Sequence, residues 1–300
     1  MQPTDYIWMN GKFVPWKEAN VHVMTHAMHY GSSVFEGIRA YKNDIDSAVF
    51  RLKEHTERLF YSAKSIALEI PYTIEEVCQA TVETLKMNKL EECYIRPLVY
   101  YGYGIMGLNP KNAPTDVMIA AWPWGKYLAH DMVDLKVSKY IRIHPKSTVC
   151  DAKIGGHYIN SILAAIEIRG THYHEGIFLD YEGYVAEGPG ENFFMVKNGV
   201  IYTPCLGTIL KGITRDTVIT IAKDLGLSVV EKKIRLEEAL ESDEAFYTGT
   251  AAEISPIRSI NDQLIAGTGN LGKMTETLKK LYHSIVRGKE SKYESYLTRY

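Results

Sequence analysis

Cysteine is scarce. The 300-residue chain has four, Cys78, Cys93, Cys150 and Cys205, spaced too widely for a CxxC redox or zinc pattern, and they suit reduced thiols packed as small hydrophobes. Long apolar runs are missing as well. The longest, around VMIAAW at 117–122, is far too short to cross a bilayer, and the opening MQPTDYIWMN has neither the basic nor the apolar region of a secretory signal. A cytoplasmic protein is expected. Charge of one sign is also lacking. A formal net charge of −2 with no long run of either sign leaves no electrostatic footprint for nucleic acid or an anionic membrane, so small molecules are the expected partners. No repeat or low-complexity tract interrupts the chain. What remains, 46% hydrophobic and 23% charged residues, is globular and long enough for two domains.

Asn10-Gly11, flanked by YIWM and KFVPW, predicts a tight hairpin. Residues 54–68 place Leu59, Ala63 and Ile66 at helical spacing, and 74–90 do the same with Val77, Thr81 and Leu85; Pro71 breaks the two apart. Residues 93–101 and 117–122 are strand-like. The first 120 or so residues thus mix strands and helices in one layer-packed unit, and the chain reads as α+β. Pro123 and Gly125 in WPWGKYLAHDMVD mark a connection, so domains are expected at 1–121 and 135–300 with an interdomain loop at 122–134. Beyond it the pattern predicts a strand over 135–144 and a helix over 157–169, with Ile159, Ile162, Leu163 and Ile166 as its apolar face and Gly170 as its stop. Antiparallel hairpins are expected around Glu182-Gly183 and Asn198-Gly199, then a helix from Gly212 with Val218, Ile221, Ala222 and Leu225 on one face.

Two stretches, GYGIMG at 102–107 and GTGNLG at 267–272, fit the dinucleotide pattern G-x-G-x-x-G. Pro110 and Pro114 forbid a helix after the first, and no further strand with an acidic residue completes the second, so both read as turns. His22, His26 and His29 have spacings that could face one metal, but no carboxylate or cysteine lies nearby; packed or hydrogen-bonded histidines are expected, and no metal site.

Four separated stretches, YGSSVFEGIR (30–39), DAKIGGHY (151–158), EGPGENFF (187–194) and YTGTAAEISP (247–256), set glycines beside isolated charges. Bare backbone can approach a ligand closely, and a lone charge there can be aimed. Together with YIRPL and GITRD, in this order and over nearly the whole chain, these motifs resemble the branched-chain amino-acid aminotransferases, pyridoxal-phosphate enzymes of fold type IV. The resemblance implies a smaller α/β sandwich domain and a larger pseudo-β-barrel domain, joined by a loop that closes the site. It also implies reversible transfer of an amino group between L-leucine, L-isoleucine or L-valine and 2-oxoglutarate.

By that resemblance Lys153 is the amine that binds pyridoxal 5′-phosphate covalently and shuttles the proton at substrate Cα. A free lysine titrates near about 10.4, so such chemistry needs an environment that favours the neutral amine. Glu187 matches the carboxylate on the pyridine nitrogen and Tyr158 the donor to the phenolic oxygen. Ile213 and Thr214, at a helix start, match the phosphate site, with Arg58 supplying charge, Thr250 a hydroxyl, and Leu210 packing near the ring. For the substrate, Thr250, Ala251 and Tyr94 match the carboxylate site and Arg96 the distal carboxylate of glutamate. Tyr30, Phe35, Gly37, Trp124 and Tyr127 match the pocket wall. Met106 and Leu108 match a loop inserted from a neighbouring subunit, which implies a homodimer at least and a trimer of dimers as a further assembly. Departures are His157, Pro189 and Lys211, where the family tends to other residues. D-amino-acid aminotransferase, (R)-amine transaminase and aminodeoxychorismate lyase share the fold, and YIRPL with GTAAEISP argues against each. An oxidoreductase would rest on the two glycine patterns alone.

Overall fold

The computed structural model describes residues 2–125 and 130–300. Within it the chain forms two compact units. The first holds the residues as far as Gly125 with Ala152–His157 and Ile285–Tyr300; the second holds the remainder of the described chain. The sequence alone divides the domains at 122–134 and assigns everything from 135 onward to the second. The observed units interleave instead, for a reason visible in the pairing given below.

The first unit is built on an antiparallel eight-stranded sheet. Its strands are β1 (Tyr6–Met9), β2 (Lys12–Pro15), β3 (Ser33–Phe35), β4 (Ile38–Lys42), β5 (Ser47–Phe50), β6 (Cys93–Tyr101), β7 (Thr115–Trp122) and, from much later in the chain, β16 (Leu297–Arg299). The order is β16-β5-β4-β6-β7-β1-β2, with β3 also on β6. Asn10 and Gly11 take positive φ, 46° and 85°, as the tight hairpin requires. A short helix, α1 (His26–Tyr30), precedes β3; α2 (Leu52–Ser65) and α3 (Ile74–Met87) follow β5. Thr73 and Glu76 close a capping box at the start of α3. Leu52, Leu59 and Ala63 of α2 and Val77 and Leu85 of α3 share a buried core with Ile38, Ile95 and Ile119 of the sheet. Each large aliphatic side chain buried this way contributes about 1.5–3 kcal/mol. Val34 bridges Ile154, and β16 runs antiparallel to β5, which is why the two later segments belong here.

The second unit has its own eight-stranded sheet. Here β8 (Val133–Val137) and β9 (Glu175–Ile177) are followed by β10 (Asn192–Lys197), β11 (Val200–Thr203), β12 (Val229–Glu231), β13 (Glu244–Gly249), β14 (Glu253–Ile260) and β15 (Gln263–Leu264). The order is β12-β11-β10-β13-β14-β8-β9, with β15 also on β14. The β10–β11 hairpin turns through Asn198 and Gly199 at positive φ. Around Glu182-Gly183 only an isolated bridge, Leu179 to Val185, forms, so the other expected hairpin is a turn with little ladder. Nor is the sheet wholly antiparallel, since β8 pairs β9 and β14 in parallel and β11 pairs β12 likewise. Helices α4 (Tyr158–Glu167), α5 (Ile213–Asp224), α6 (Leu236–Leu240) and α7 (Lys273–Val286) complete the elements. The strand expected over 135–144 ends at Val137. Leu225, expected on the buried face of α5, is exposed.

Helix α4 corrects a second expectation. Ile159, Ile162 and Ile166 are exposed, and the helix buries Ser161 and Ala164 instead. Small residues let it lie close: a Cβ on Gly176 would sit 3.4 Å from that of Ala164, and the Ser161 hydroxyl donates to Pro189 O at 2.7 Å.

Candidate active site

In the first unit, Lys153 lies half-buried in a segment whose backbone is fixed on both sides. Its N–H donates to Ser62 Oγ at 2.9 Å, its carbonyl accepts from Phe35 N at 3.1 Å, and its Nζ stands 4.9 Å from the Phe35 ring centroid. The two glycines that follow serve this placement. A Cβ on Gly155 would collide with Ser33 Oγ, and a Cβ on Gly156 would lie 3.2 Å from Gly31 O. These glycines therefore seat backbone on backbone and hold the lysine at β3.

Phe35, Gly37, Tyr94, Arg96 and Trp124 come together as one wall. Arg96 Nη2 donates to Tyr94 Oη at 3.0 Å and its guanidinium stacks 4.6 Å from the Phe35 centroid. Trp124 meets Tyr94 edge-on at 4.4 Å, and Gly37 has no room for a Cβ beside the Tyr94 hydroxyl. Arg96 Nε is buried without a hydrogen-bond partner, a donor suited to a carboxylate. Tyr30 packs on His26 instead, at 4.6 Å. Met106 and Leu108 are exposed, and Tyr127 lies outside the described residues. His26 is a packed histidine hydrogen-bonded to Ser32 Oγ and Gly107 O. Among the described residues no cluster of His, Cys, Asp and Glu is arranged to hold a metal ion.

Arg58 is paired with a residue that sequence reasoning missed. Its Nε and Nη2 donate to the two oxygens of Glu36 at 2.6 and 2.8 Å, and His55 Nδ1 meets the same carboxylate at 2.7 Å. Burial alone would push the Glu36 carboxyl up, but Arg58 and His55 hold it well below the usual carboxylate range. Burial lowers His55, only partly countered by Glu36, so its imidazole is neutral near pH 7 and donates.

In the second unit Glu187 is buried, and its Oε1 accepts from Arg142 Nε at 2.6 Å. Its Oε2 accepts from Asn192 Nδ2 and Leu210 N, both at 3.0 Å. Leu210 thus meets Glu187 through its backbone. Arg142 lies between β8 and α4, inside the stretch expected to be strand, where nothing local marks it. Asn192 sits within the quoted EGPGEN motif without an assigned role.

Helix α5 starts at Ile213 with Gly212 as N-cap and no side-chain cap. The N–H groups of Ile213, Thr214 and Arg215 therefore have no intrahelical acceptor. Asn192 stands opposite Thr248 in the β10–β13 register, and the Thr248 hydroxyl is buried without a hydrogen-bond partner. Thr250 and Ala251 follow β13 in a half-buried turn, where a Cβ on Gly249 would lie 3.2 Å from Gly190 O of the EGPGEN loop. Tyr158 begins α4, half-buried. At the other glycine pattern, Glu244 accepts from Met274 N and Thr275 N at 3.0 and 2.7 Å. A carboxylate therefore fills the helix start where a pyrophosphate would have to lie.

Gly212 gives a direct test of this arrangement. A Cβ there would collide with Asn192 Oδ1, whose Nδ2 serves Glu187. Gly212→Ala should destabilise the protein by about 1–3 kcal/mol and weaken cofactor retention on gel filtration; an unchanged thermal melt with full retention would contradict it.

The amino-transferase class IV model matches residues 33–260, and the chain belongs to that family. Branched-chain-amino-acid aminotransferases are among its relatives. The branched-chain-amino-acid aminotransferase of Pseudomonas aeruginosa is 45% identical over 296 residues, 97% of this chain and 96% of that one. That of Escherichia coli K12 is 44% identical over 290 residues, covering 95% and 94%. Among solved structures, the branched-chain aminotransferase of the thermophilic archaeon Thermoproteus uzoniensis with norvaline superposes with a TM-score of 0.95 at 45% identity over 99% of both chains. The branched-chain amino acid aminotransferase of Thermobaculum terrenum, in its PLP-form, gives 0.93 at 34% identity over 100% of this chain and 99% of that one. The fold is α+β, of fold type IV.

Proposed function

We infer that the protein catalyses reversible transfer of an amino group between L-leucine, L-isoleucine or L-valine and 2-oxoglutarate, giving the branched-chain 2-oxo acids and L-glutamate, with pyridoxal 5′-phosphate as cofactor. The observation that carries this is identity of 45% with a branched-chain aminotransferase across 97% of the chain. The residues present fit the cofactor. The uncapped α5 start and the orphaned Thr248 hydroxyl suit a phosphate, and a buried carboxylate held by Arg142, Asn192 and Leu210 N suits a pyridine nitrogen. When bound, pyridoxal phosphate supplies an aldehyde that condenses with amines and a protonated ring that withdraws electrons from substrate Cα.

Lys153 is assigned as the covalent anchor and as the group that moves the proton at Cα. Glu187, held by Arg142, Asn192 and Leu210 N, keeps the proton on the ring nitrogen, and Tyr158 donates to the phenolic oxygen. Arg58, Ile213, Thr214 and Thr250 hold the phosphate, with Leu210 against the ring. Thr250, Ala251 and Tyr94 take the substrate carboxylate. Phe35, Gly37 and Trp124 form the apolar wall, to which Tyr30 is assigned by family likeness alone, and Arg96, whose Nε lacks a partner, receives the distal carboxylate of glutamate. One pocket thus serves an apolar and a charged side chain in turn. The exposed Met106 and Leu108 are assigned to a neighbouring subunit's pocket, in a homodimer at least and a trimer of dimers beyond it. No described helix is long and apolar enough to cross a membrane. A cytoplasmic location is proposed.

The purified protein should be yellow, and its visible spectrum should change on adding L-leucine and return on adding 2-oxoglutarate. D-Alanine should leave it unchanged. A colourless active protein, or a response to D-alanine alone, would overturn the reading.

A further inference from the structure

Glu36 has no assigned part in binding or catalysis, yet it is fully buried and ionised. A buried ion pair is a weak source of stability, since apolar residues of like volume often serve as well. Its retention here calls for a use of the guanidinium it holds. Arg58 presents two edges of N–H donors. Glu36 occupies the Nε–Nη2 edge in a two-point contact at 2.6 and 2.8 Å, which fixes the plane of the fork and so the direction of the adjoining Nη1–Nη2 edge.

The carboxylate is itself fixed. The Glu36 backbone N–H donates to Pro97 O at 3.0 Å, Gly37 N donates to Oε2 at 3.3 Å, and His55 Nδ1 meets the same oxygen at 2.7 Å. His55, Arg58 and Ser62 follow one another at helical spacing along α2. Ser62 receives Lys153 N, while Phe35, the residue before Glu36, donates to Lys153 O. One helix face and one strand end therefore set both the lysine and the arginine.

We propose that Glu36 is a positioning residue that aims Arg58 at the phosphate of the cofactor. The proposal rests on the assignment of Arg58 to that phosphate. Charge and orientation make opposite predictions. As a mere counter-charge, Glu36 would weaken anion binding, and Glu36→Gln would tighten it. As a positioning group it holds the fork in place, so Glu36→Gln weakens binding, and Glu36→Asp, which keeps the charge but shortens the reach, weakens it too.

The test is equilibrium dialysis of full-length protein carrying either pyridoxal phosphate or pyridoxal, which has the same ring without the phosphate. For both Glu36 variants the expected result is a loss of roughly tenfold or more in affinity for pyridoxal phosphate, with pyridoxal affinity within about twofold of the parent. Tighter or unchanged phosphate binding by Glu36→Gln, or equal losses for both ligands, would overturn the proposal. Arg58→Ala run alongside separates the two layers: if it leaves the pyridoxal phosphate preference intact, the Arg58 assignment is wrong. If it removes the preference while the Glu36 variants keep it, the proposal alone fails.

Discussion

Alanine at position 153 should abolish transamination, with kcat lower by roughly 10⁴-fold or more, because one substitution removes the residue assigned both as covalent anchor and as proton carrier, the second role worth about 10²–10⁴ by itself. The fold should survive. Lys153 is held through its backbone, by Ser62 on one side and Phe35 on the other, and the seating of Gly155 and Gly156 on residues 31–33 does not involve its side chain. A thermal melt within about 1 kcal/mol of the parent is therefore expected. Borohydride reduction of the parent followed by peptide mass analysis should find the cofactor on Lys153. Attachment at another lysine, or turnover by Lys153→Ala within about a hundredfold of the parent, would remove the central assignment.

Arg142→Ala should be the most damaging change to stability among the site residues. Both Arg142 and Glu187 are at least nine-tenths buried, and truncating the arginine strands a carboxylate out of water. Breaking such a pair typically costs about 3–5 kcal/mol, so Arg142→Ala should melt well below the parent. Arg142→Ala combined with Glu187→Gln should regain most of that loss, since no unpaired charge is left. On the assignment of Glu187 to the ring nitrogen, activity should not return, because an amide cannot hold that proton as a carboxylate does. If the single variant melts like the parent, the pair carries no such role.

The elements legible in the sequence are those whose signals are local. Asn10-Gly11 required a positive φ at two consecutive positions, and α2 and α3 declared themselves by apolar spacing and an intervening proline. What escaped depends on distant partners. The isoleucines of α4 made an apolar face that periodicity detects, but periodicity does not say which surface a face will meet; there the small residues Ser161 and Ala164 won the inner side because they allow closer approach. Parallel pairing of β8 with β9 and β14 left no local trace. Among the site residues, motif likeness marked Lys153 and Glu187, whereas Arg142 lay 45 positions from its partner. Glu36 sat inside a quoted motif, and its bond to Arg58 spans 22 positions, so nothing nearby announced it.

The interleaving of the two units bears on how the chain is made. Residues 152–157 and 285–300 belong to the unit that begins at the N-terminus, so their turn at the ribosome comes during and after synthesis of the other unit. Vectorial translation at about 5–20 residues per second therefore presents the N-terminal sheet with an unpaired β5 edge and without its lysine segment while the intervening sequence emerges. The two units cannot be completed in strict succession, and Lys153 joins its unit only once the chain has begun the other.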